Sequence, residues 1–195
     1  MKLRVLILLS TLFFFGCAQA GNHRVPTAMA PKAKVWAFAL HQEGELKLPK
    51  GFTEIRTRDQ CRLYVFEPLV FSDVDITVKL KPNLSKKDYG AGILFRYQDP
   101  QNYYCVRYNP GINNFRFYKS IRGDRARFAN RTVRLKDKTD WHELRLVSRG
   151  DLLQAYMDGK LVLSREDEIL KKGKVGLWVR GEEPKTRFTE FVIRQ

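Results

Sequence analysis

Arginines and aromatic residues recur at short spacing in the middle of this 195-residue chain. They stand in Arg96-Tyr97, Arg107-Tyr108-Asn109, Asn114 and Arg116-Phe117-Tyr118, and again in Trp178-Val179-Arg180. A guanidinium offers several donors in one rigid plane and suits an anionic or hydroxyl-rich ligand. A ring beside it can stack on the apolar face of a sugar while the donors take its oxygens. Arg96, Tyr97, Arg107, Asn109, Asn114, Arg116, Tyr118, Trp178 and Arg180 are therefore the candidate ligand-binding residues. A solvated or salt-bridged face is the plainer reading of the same pattern.

Catalytic residues are harder to place. A retaining glycosidase needs two carboxyl groups about 5–5.5 Å apart. Asp73 and Asp75 have same-face spacing but flank the start of a strand. Glu166, Asp167 and Glu168 fall in a loop, and Asp99 and Asp158 in turns. No Gly-x-Ser-x-Gly elbow, phosphate loop or His-Glu-x-x-His helix occurs. No catalytic residue is assigned, and whether the chain is an enzyme stays open. Three cysteines and three histidines leave little material for a metal site. No cofactor is expected, and a calcium ion bracing a loop is left open.

The elements that must carry these residues read as short strands. Asp73 to Lys81 alternates apolar and polar side chains, and Pro82-Asn83 ends it. Ile93–Tyr97, Tyr103–Tyr108 and Phe115–Ile121 follow, separated by Asp99–Asn102 and Asn109-Pro110-Gly111. Trp141–Arg149, Leu152–Met157, Leu161–Ser164, Val175–Arg180 and Phe188–Arg194 complete the set. Asp158-Gly159 is the strongest hairpin signal, because a type I′ turn needs positive φ at both centres. Only Glu166 to Lys172 could make a short helical turn, and Trp141 reads as core. About a dozen strands predict an all-β, two-sheet antiparallel jelly-roll sandwich.

Loop lengths then predict register. Joining neighbouring strands through Asp99–Asn102 sets Phe95 opposite Cys105 and Leu94 opposite Val106. The next turn sets Arg107 near Arg116, Cys105 near Tyr118 and Val106 near Phe117. Leu94, Val106 and Phe117 would share the core face; Phe95, Cys105, Arg107, Arg116 and Tyr118 would share the other. A one-residue slip would exchange the faces. Like charges directly across a ladder destabilise it, so something negative or strongly polar should lie between Arg107 and Arg116.

The amino end reads as an export signal. Lys2 and Arg4 precede the apolar stretch Val5–Phe15, and Ala18-Gln19-Ala20 offers a small-x-small cut before Gly21. A lipoprotein box competes: Phe14-Phe15-Gly16-Cys17 would make Cys17 the acylated first residue, a tether to a membrane without a span. Residues 1–20 are thus expected to be a signal peptide, 21–34 an exposed lead-in, and 35–195 one sandwich domain. Localisation would be the periplasm, the outer membrane or elsewhere in the cell envelope. Of the thiols that remain, Cys61 and Cys105 either pair in an oxidising compartment or stay buried as small apolar groups. The formal charge of the chain is +15; without residues 1–20, 34 basic side chains face 21 acids, a charge of +13. Such a charge would fit nucleic acid, but the export signal argues against that partner.

The runs Gly92–Asp99, Asn102-Tyr103-Tyr104, Arg107–Pro110, Asn113–Lys119, Trp141–Leu144, Asp158–Lys160 and Gly173–Trp178 occur together in that order. This order resembles the 3-keto-disaccharide hydrolase domain family of exported bacterial proteins, laminin-G-like members of the concanavalin A-like lectin/glucanase superfamily. The likeness covers residues 70–193. It implies a concanavalin A-like sandwich that binds or processes carbohydrate outside the cytoplasm. Two positions depart from the family pattern: Phe188-Thr189-Glu190 replaces Phe-Asp-Asp, and Gly111-Ile112 replaces Leu-Glu. The superfamily's glucanase signature Glu-x-Asp-x-x-Glu is absent.

The first expectation is a monomeric, exported, carbohydrate-binding domain that recognises a glycan through an arginine and aromatic sheet face. A hydrolase of 3-keto-disaccharides or related glycans is the alternative. A structural envelope lipoprotein that binds anionic polymers is the third.

Overall fold

Alternation builds the strands. From Val74 to Lys81 every second side chain is buried, Val74, Ile76, Val78 and Leu80 pointing inward while Asp75, Thr77, Lys79 and Lys81 stay half-exposed. In this computed structural model residues 34–40, 42–43, 45–57, 60–82, 84, 90–180 and 186–195 are described, with backbone alone for 42, 43, 45 and 46. The leader, Cys17 and most of the lead-in lie outside the described residues. Contacts gather Ala33–Gln195 into one compact unit.

In chain order the strands are β1 (Val35–Phe38), β2 (Gln42–Glu43), β3 (Glu45–Leu46), β4 (Phe52–Arg56) and β5 (Cys61–Phe71). Next come β6 (Val74–Lys81), β7 (Ala91–Asp99), β8 (Asn102–Asn109), β9 (Asn114–Ile121) and β10 (Asp124–Thr132). The last are β11 (His142–Arg149), β12 (Leu152–Met157), β13 (Lys160–Glu166), β14 (Gly173–Arg180) and β15 (Arg187–Arg194). One sheet has six strands in the order β1-β15-β6-β11-β12-β13, and the other has seven in the order β10-β9-β8-β7-β14-β5-β4. β2 and β3 pair separately. All pairings are antiparallel, so the chain is an all-β, two-sheet jelly-roll sandwich.

The main core lies between the sheets. Ile76, Val78, Leu144, Leu146 and Ile193 from the six-stranded sheet belong to one cluster with Ile93, Phe95, Val106, Phe117 and Leu177 from the seven-stranded sheet. A second apolar cluster occupies the opposite face of the seven-stranded sheet: Cys61, Leu63, Val65, Leu94, Tyr97, Tyr103, Cys105 and Trp178. The middle strands of this sheet are therefore buried on both faces, and β7 and β8 are buried along almost their whole length.

Three expectations differ from the fold, and one register agrees with it. β8 and β9 pair as the loop length predicts, Arg107 with Arg116, Cys105 with Tyr118 and Val106 with Phe117. β7 and β8 are offset by one: Leu94 lies opposite Cys105 and Phe95 opposite Tyr104. The cause is a bulge after Phe95, where Arg96 adopts a φ of 49°. Phe95 therefore enters the main core and Leu94 the second cluster. No helix forms at Glu166 to Lys172: β13 runs to Glu166 and an irregular segment follows. Trp141 is 40% exposed, because β11 begins one residue later, at His142.

Cys61 and Cys105 are separate, buried thiols. β14 and β7 stand between their strands. Three strand-to-strand steps of about 4.8 Å alone put them at least about 14 Å apart, twice the largest Cα separation a disulfide spans.

Candidate functional site

Alternation assigns the outer face of the seven-stranded sheet. Pairing aligns Trp178 on β14 with Gly92 on β7, Gly92 with Arg107 on β8, and Arg107 with Arg116 on β9. Gly92 has no side chain, so it leaves a gap in this row. Across that gap the Arg107 guanidinium reaches over the Trp178 ring, 5.8 Å from its centroid. Gly90, two residues earlier, clears the rest of the space: a Cβ there would lie 2.2 Å from Arg107 Nη1.

A phenol lies between the two like charges. The Tyr118 hydroxyl accepts from Arg107 Nη2 at 3.3 Å and from Arg116 Nη1 at 3.0 Å. Burial alone would raise the Tyr118 pKa, but the hydrogen bonds and charges of both arginines outweigh it and hold the phenol below its ordinary value. Arg116 also donates from Nε to Asn130 Oδ1 at 2.9 Å.

Arg125 on β10 completes the array. Its guanidinium lies 4.3 Å from the Tyr118 centroid and 4.7 Å from that of Trp178. Arg107 lies 5.2 Å from the same Tyr118 centroid. Two guanidiniums thus share two rings, cation–π contacts that fix their planes. The rings hold the arginines, and the arginines are what present donors. Arg107 is 3% exposed and Trp178 fully buried, yet Arg107 Nε and Nη1 and Trp178 Nε1 have no acceptor among the described residues. Each unpaired buried donor costs about 1–3 kcal/mol, and more where it is charged. Water oxygens, or the hydroxyls of a ligand that displaces them, would supply the missing acceptors.

The remaining predicted site residues are distributed as follows. Arg180 alternates with Trp178 onto the same face, and its backbone N–H donates to the Gly90 carbonyl at 2.9 Å. Asn109 and Asn114 pair at the far end of β8 and β9. The Asn109 side chain accepts from the Gly111 N–H at 3.0 Å, a turn brace, while Asn114 Oδ1 is buried without a donor among the described residues. Tyr97 stands in the second apolar cluster with its ring 6.5 Å from that of Tyr103. Burial, then Glu67 and Asp99, push its phenol up to about 12. Arg96 turns the other way because of the bulge. Its guanidinium donates to Leu170 O at 2.5 Å, Ser148 Oγ at 2.9 Å, Asp167 O at 3.4 Å and the Gly150 carbonyl. It is 2% exposed and joins β7 to loops of the opposite sheet, and burial lowers its pKa. The array therefore unites Arg107, Arg116, Tyr118 and Trp178, with Arg180 on their face, and leaves Arg96 in the interior.

Arg125 is the residue that sequence reading did not single out. Its signal was present: a two-residue turn at Arg122-Gly123 sets Asp124 opposite Ile121 and Arg125 opposite Ser120. Both turn residues have positive φ, 54° and 89°.

The acids have other partners. Near Tyr97, Glu67 is ion-paired with Lys174, and Asp99 Oδ1 accepts from the Gln101 N–H at 2.7 Å and from Asn102 Nδ2 at 3.1 Å. Asp75 receives Arg145 through two donors, at 2.8 and 2.6 Å, and Asp73 Oδ1 accepts from the Gly150 N–H. Asp158 has a φ of 50° in its turn and bonds His142 Nδ1 at 2.8 Å. Asp167 accepts from Lys119 Nζ at 2.5 Å and from the Tyr104 hydroxyl. Trp141 lines a separate cavity of about 390 Å³ with Lys79, Glu143 and Glu190. Among the described residues no group of three metal-ligating side chains occurs.

No protein-family model matches the chain, and no curated protein does. Solved structures do share its fold. A carbohydrate binding module, CBM66, from Bacillus subtilis is 18% identical, with 74% of this chain and 88% of that one aligned at a TM-score of 0.56. A Bacillus subtilis protein of unknown function with a galectin-like fold is 14% identical over 84% of this chain and 89% of its own, at a TM-score of 0.58. A prokaryotic β-1,3-1,4-glucanase (lichenase) derived from a mouse hindgut metagenome is 14% identical over 69% of this chain and 70% of its own, at 0.52. At these identities the likeness is one of fold, the jelly-roll sandwich.

Proposed function

We propose that this chain is a glycan-binding sandwich domain of an exported protein and that the outer face of its seven-stranded sheet meets the sugar. The observation that carries this reading is the guanidinium–ring array. Arg107 and Arg125 are held over Tyr118 and Trp178, and three buried donors of Arg107 and Trp178 have no acceptor among the described residues. Vicinal hydroxyls or a carboxylate on a sugar ring match the spacing of a guanidinium fork. The apolar start Val5–Phe15 with Lys2 and Arg4 supports export. Solved proteins of the same fold, described as a carbohydrate binding module and a lichenase, support the ligand class. We propose no catalytic step on this face, since Glu67 and Asp99 are both engaged and no free pair of acids stands beside the array among the described residues. The likeness to 3-keto-disaccharide hydrolases therefore enters the proposal as a sugar-binding inheritance.

A glycan array at two salt concentrations tests it, with Arg107→Met beside the unaltered chain. The variant keeps the apolar stem and removes the donors. Two charge-assisted hydrogen bonds of about 1.5–3 kcal/mol each predict a loss of at least about a hundredfold in affinity. Binding that survives added salt and falls in the variant supports the reading. No retention on any glycan, or equal retention by the variant, refutes it.

A further inference from the structure

We infer that a second sugar-binding site, for a neutral ring, lies on the outer face of the six-stranded sheet, with Trp141 as its platform and Glu143 as its acceptor. The ligand class rests on the glycan reading above, while the site shares no residue with the guanidinium–ring array.

Alternation places the two side chains together. His142 is 8% exposed and points inward, so Trp141 and Glu143, one residue to either side, face outward. His142 is held at both ring nitrogens: Nδ1 bonds Asp158 Oδ2 at 2.8 Å, and Nε2 bonds the Asp137 carbonyl at 2.6 Å. The backbone on either side is held as well. The Trp141 N–H donates to Asp140 Oδ1 at 2.7 Å, and the Glu143 N–H to Asp158 Oδ1 at 2.9 Å. The segment that carries ring and carboxylate is thus tied to the Asp158-Gly159 turn before any ligand arrives, which lowers the cost of ordering it on binding.

Both residues line the cavity of about 390 Å³, with Thr189 and Glu190 of β15. Lys79 of β6 lies between, paired with Glu143 on one side and Thr189 on the other. At a bulge in β15 Glu190 takes a φ of 50° and forms an ion pair with Lys79 Nζ at 2.8 Å. Lys79 and Asp158 are therefore engaged within the cavity itself. The Glu143 carboxylate has no hydrogen bond or ion pair among the described residues, and Arg145, the next cation on its strand, is taken by Asp75 through two donors. A carboxylate accepts and cannot donate, so its ligand must bring donors. An indole 40% exposed beside it adds an apolar plane. A sugar ring meets both demands, with its C–H face on the indole and its hydroxyls toward Glu143. An anionic sugar would set its charge against Glu143, Asp158 and Glu190. The cavity is of the order that holds a small ligand.

Acrylamide quenching of tryptophan emission reads this site directly, because Trp178 is fully buried and Trp36 half-buried against Phe71. Cellotetraose, laminaritetraose, maltotetraose and xylotetraose are the neutral probes; trigalacturonate is the anionic control and tetramethylammonium the cationic one. The proteins are the unaltered chain, Trp141→Ala, Glu143→Gln and Arg107→Met, with thermal melts to confirm folding. We expect at least one neutral tetrasaccharide to shield an exposed tryptophan, equally in about 0.15 M and 1 M salt. The shielding should disappear in Trp141→Ala, and its midpoint should rise about fivefold in Glu143→Gln, which keeps an acceptor but loses the charge. Arg107→Met should keep it, because the array lies on the opposite sheet. Shielding by tetramethylammonium or trigalacturonate as strong as by the sugars overturns the inference in favour of an ion site. Shielding lost in Arg107→Met, or unchanged in Glu143→Gln, overturns it too. Glycan binding that depends on Arg107 without any shielding overturns it and leaves the first site standing. Binding to no glycan removes both.

Discussion

Asp167 offers the sharpest test of how the sandwich is held closed. It follows β13, and its side chain is 8% exposed. Its carboxylate accepts from Lys119 Nζ at 2.5 Å, from the Tyr104 hydroxyl and from the Ile169 N–H at 3.2 Å. The same phenol accepts from the Leu170 N–H at 2.9 Å, so one acid anchors the segment after β13 to the opposite sheet. Burial opposes ionisation of Asp167, but Lys119, Tyr104 and Ile169 outweigh it and hold its pKa below the ordinary carboxylate value. The contribution to stability is therefore complete above the unfolded value of about 3.9 and is lost as pH falls through the lower, folded one. Breaking a buried ion pair costs about 3–5 kcal/mol. Lys119 is 21% exposed and can rehydrate, so Asp167→Asn should cost less, about 2–3 kcal/mol at pH 7. For a domain of this size that lowers Tm by roughly 5–10 °C. Urea unfolding from neutral pH into the acid range gives the readout. The gap between variant and unaltered chain should close once Asp167 is protonated in both states. A gap of the same size at every pH, or none at pH 7, refutes the electrostatic account.

Three further outcomes follow from the site. Gly90→Ala puts a Cβ 2.2 Å from Arg107 Nη1 and should displace that guanidinium, weakening glycan binding about as much as Arg107→Met; unchanged affinity in calorimetry would count against the array. In an alkaline absorbance titration one phenol should ionise ahead of the ordinary tyrosine range and be missing in Tyr118→Phe, while Tyr97 and Tyr108 ionise near about 12. An identical early phase in the variant would sink the assignment. Cys61 and Cys105 should both resist alkylation until the chain is unfolded and then react without reductant; a need for reductant would contradict the strand order.

The fold and the site were legible to different depths, and the difference is between local and non-local pairing. Alternation along Val74–Lys81 and the Asp158-Gly159 turn are properties of neighbouring residues, and both are realised in the structure. The β8–β9 register followed from the loop length, so the Arg107–Arg116 pair was visible before any coordinate. The β7–β8 register was not, because a non-glycine residue in a left-handed conformation at Arg96 has no sequence signature. Strand order lies further out of reach. Nothing local says that β14 inserts between β7 and β5, yet that insertion separates Cys61 from Cys105. It also aligns Trp178, Gly92 and Arg107. Sequence could name Trp178 and Arg107 as a ring and a cation suited to one ligand. Only the insertion makes the intervening glycine a gap through which the two meet, and so turns a composition into a site.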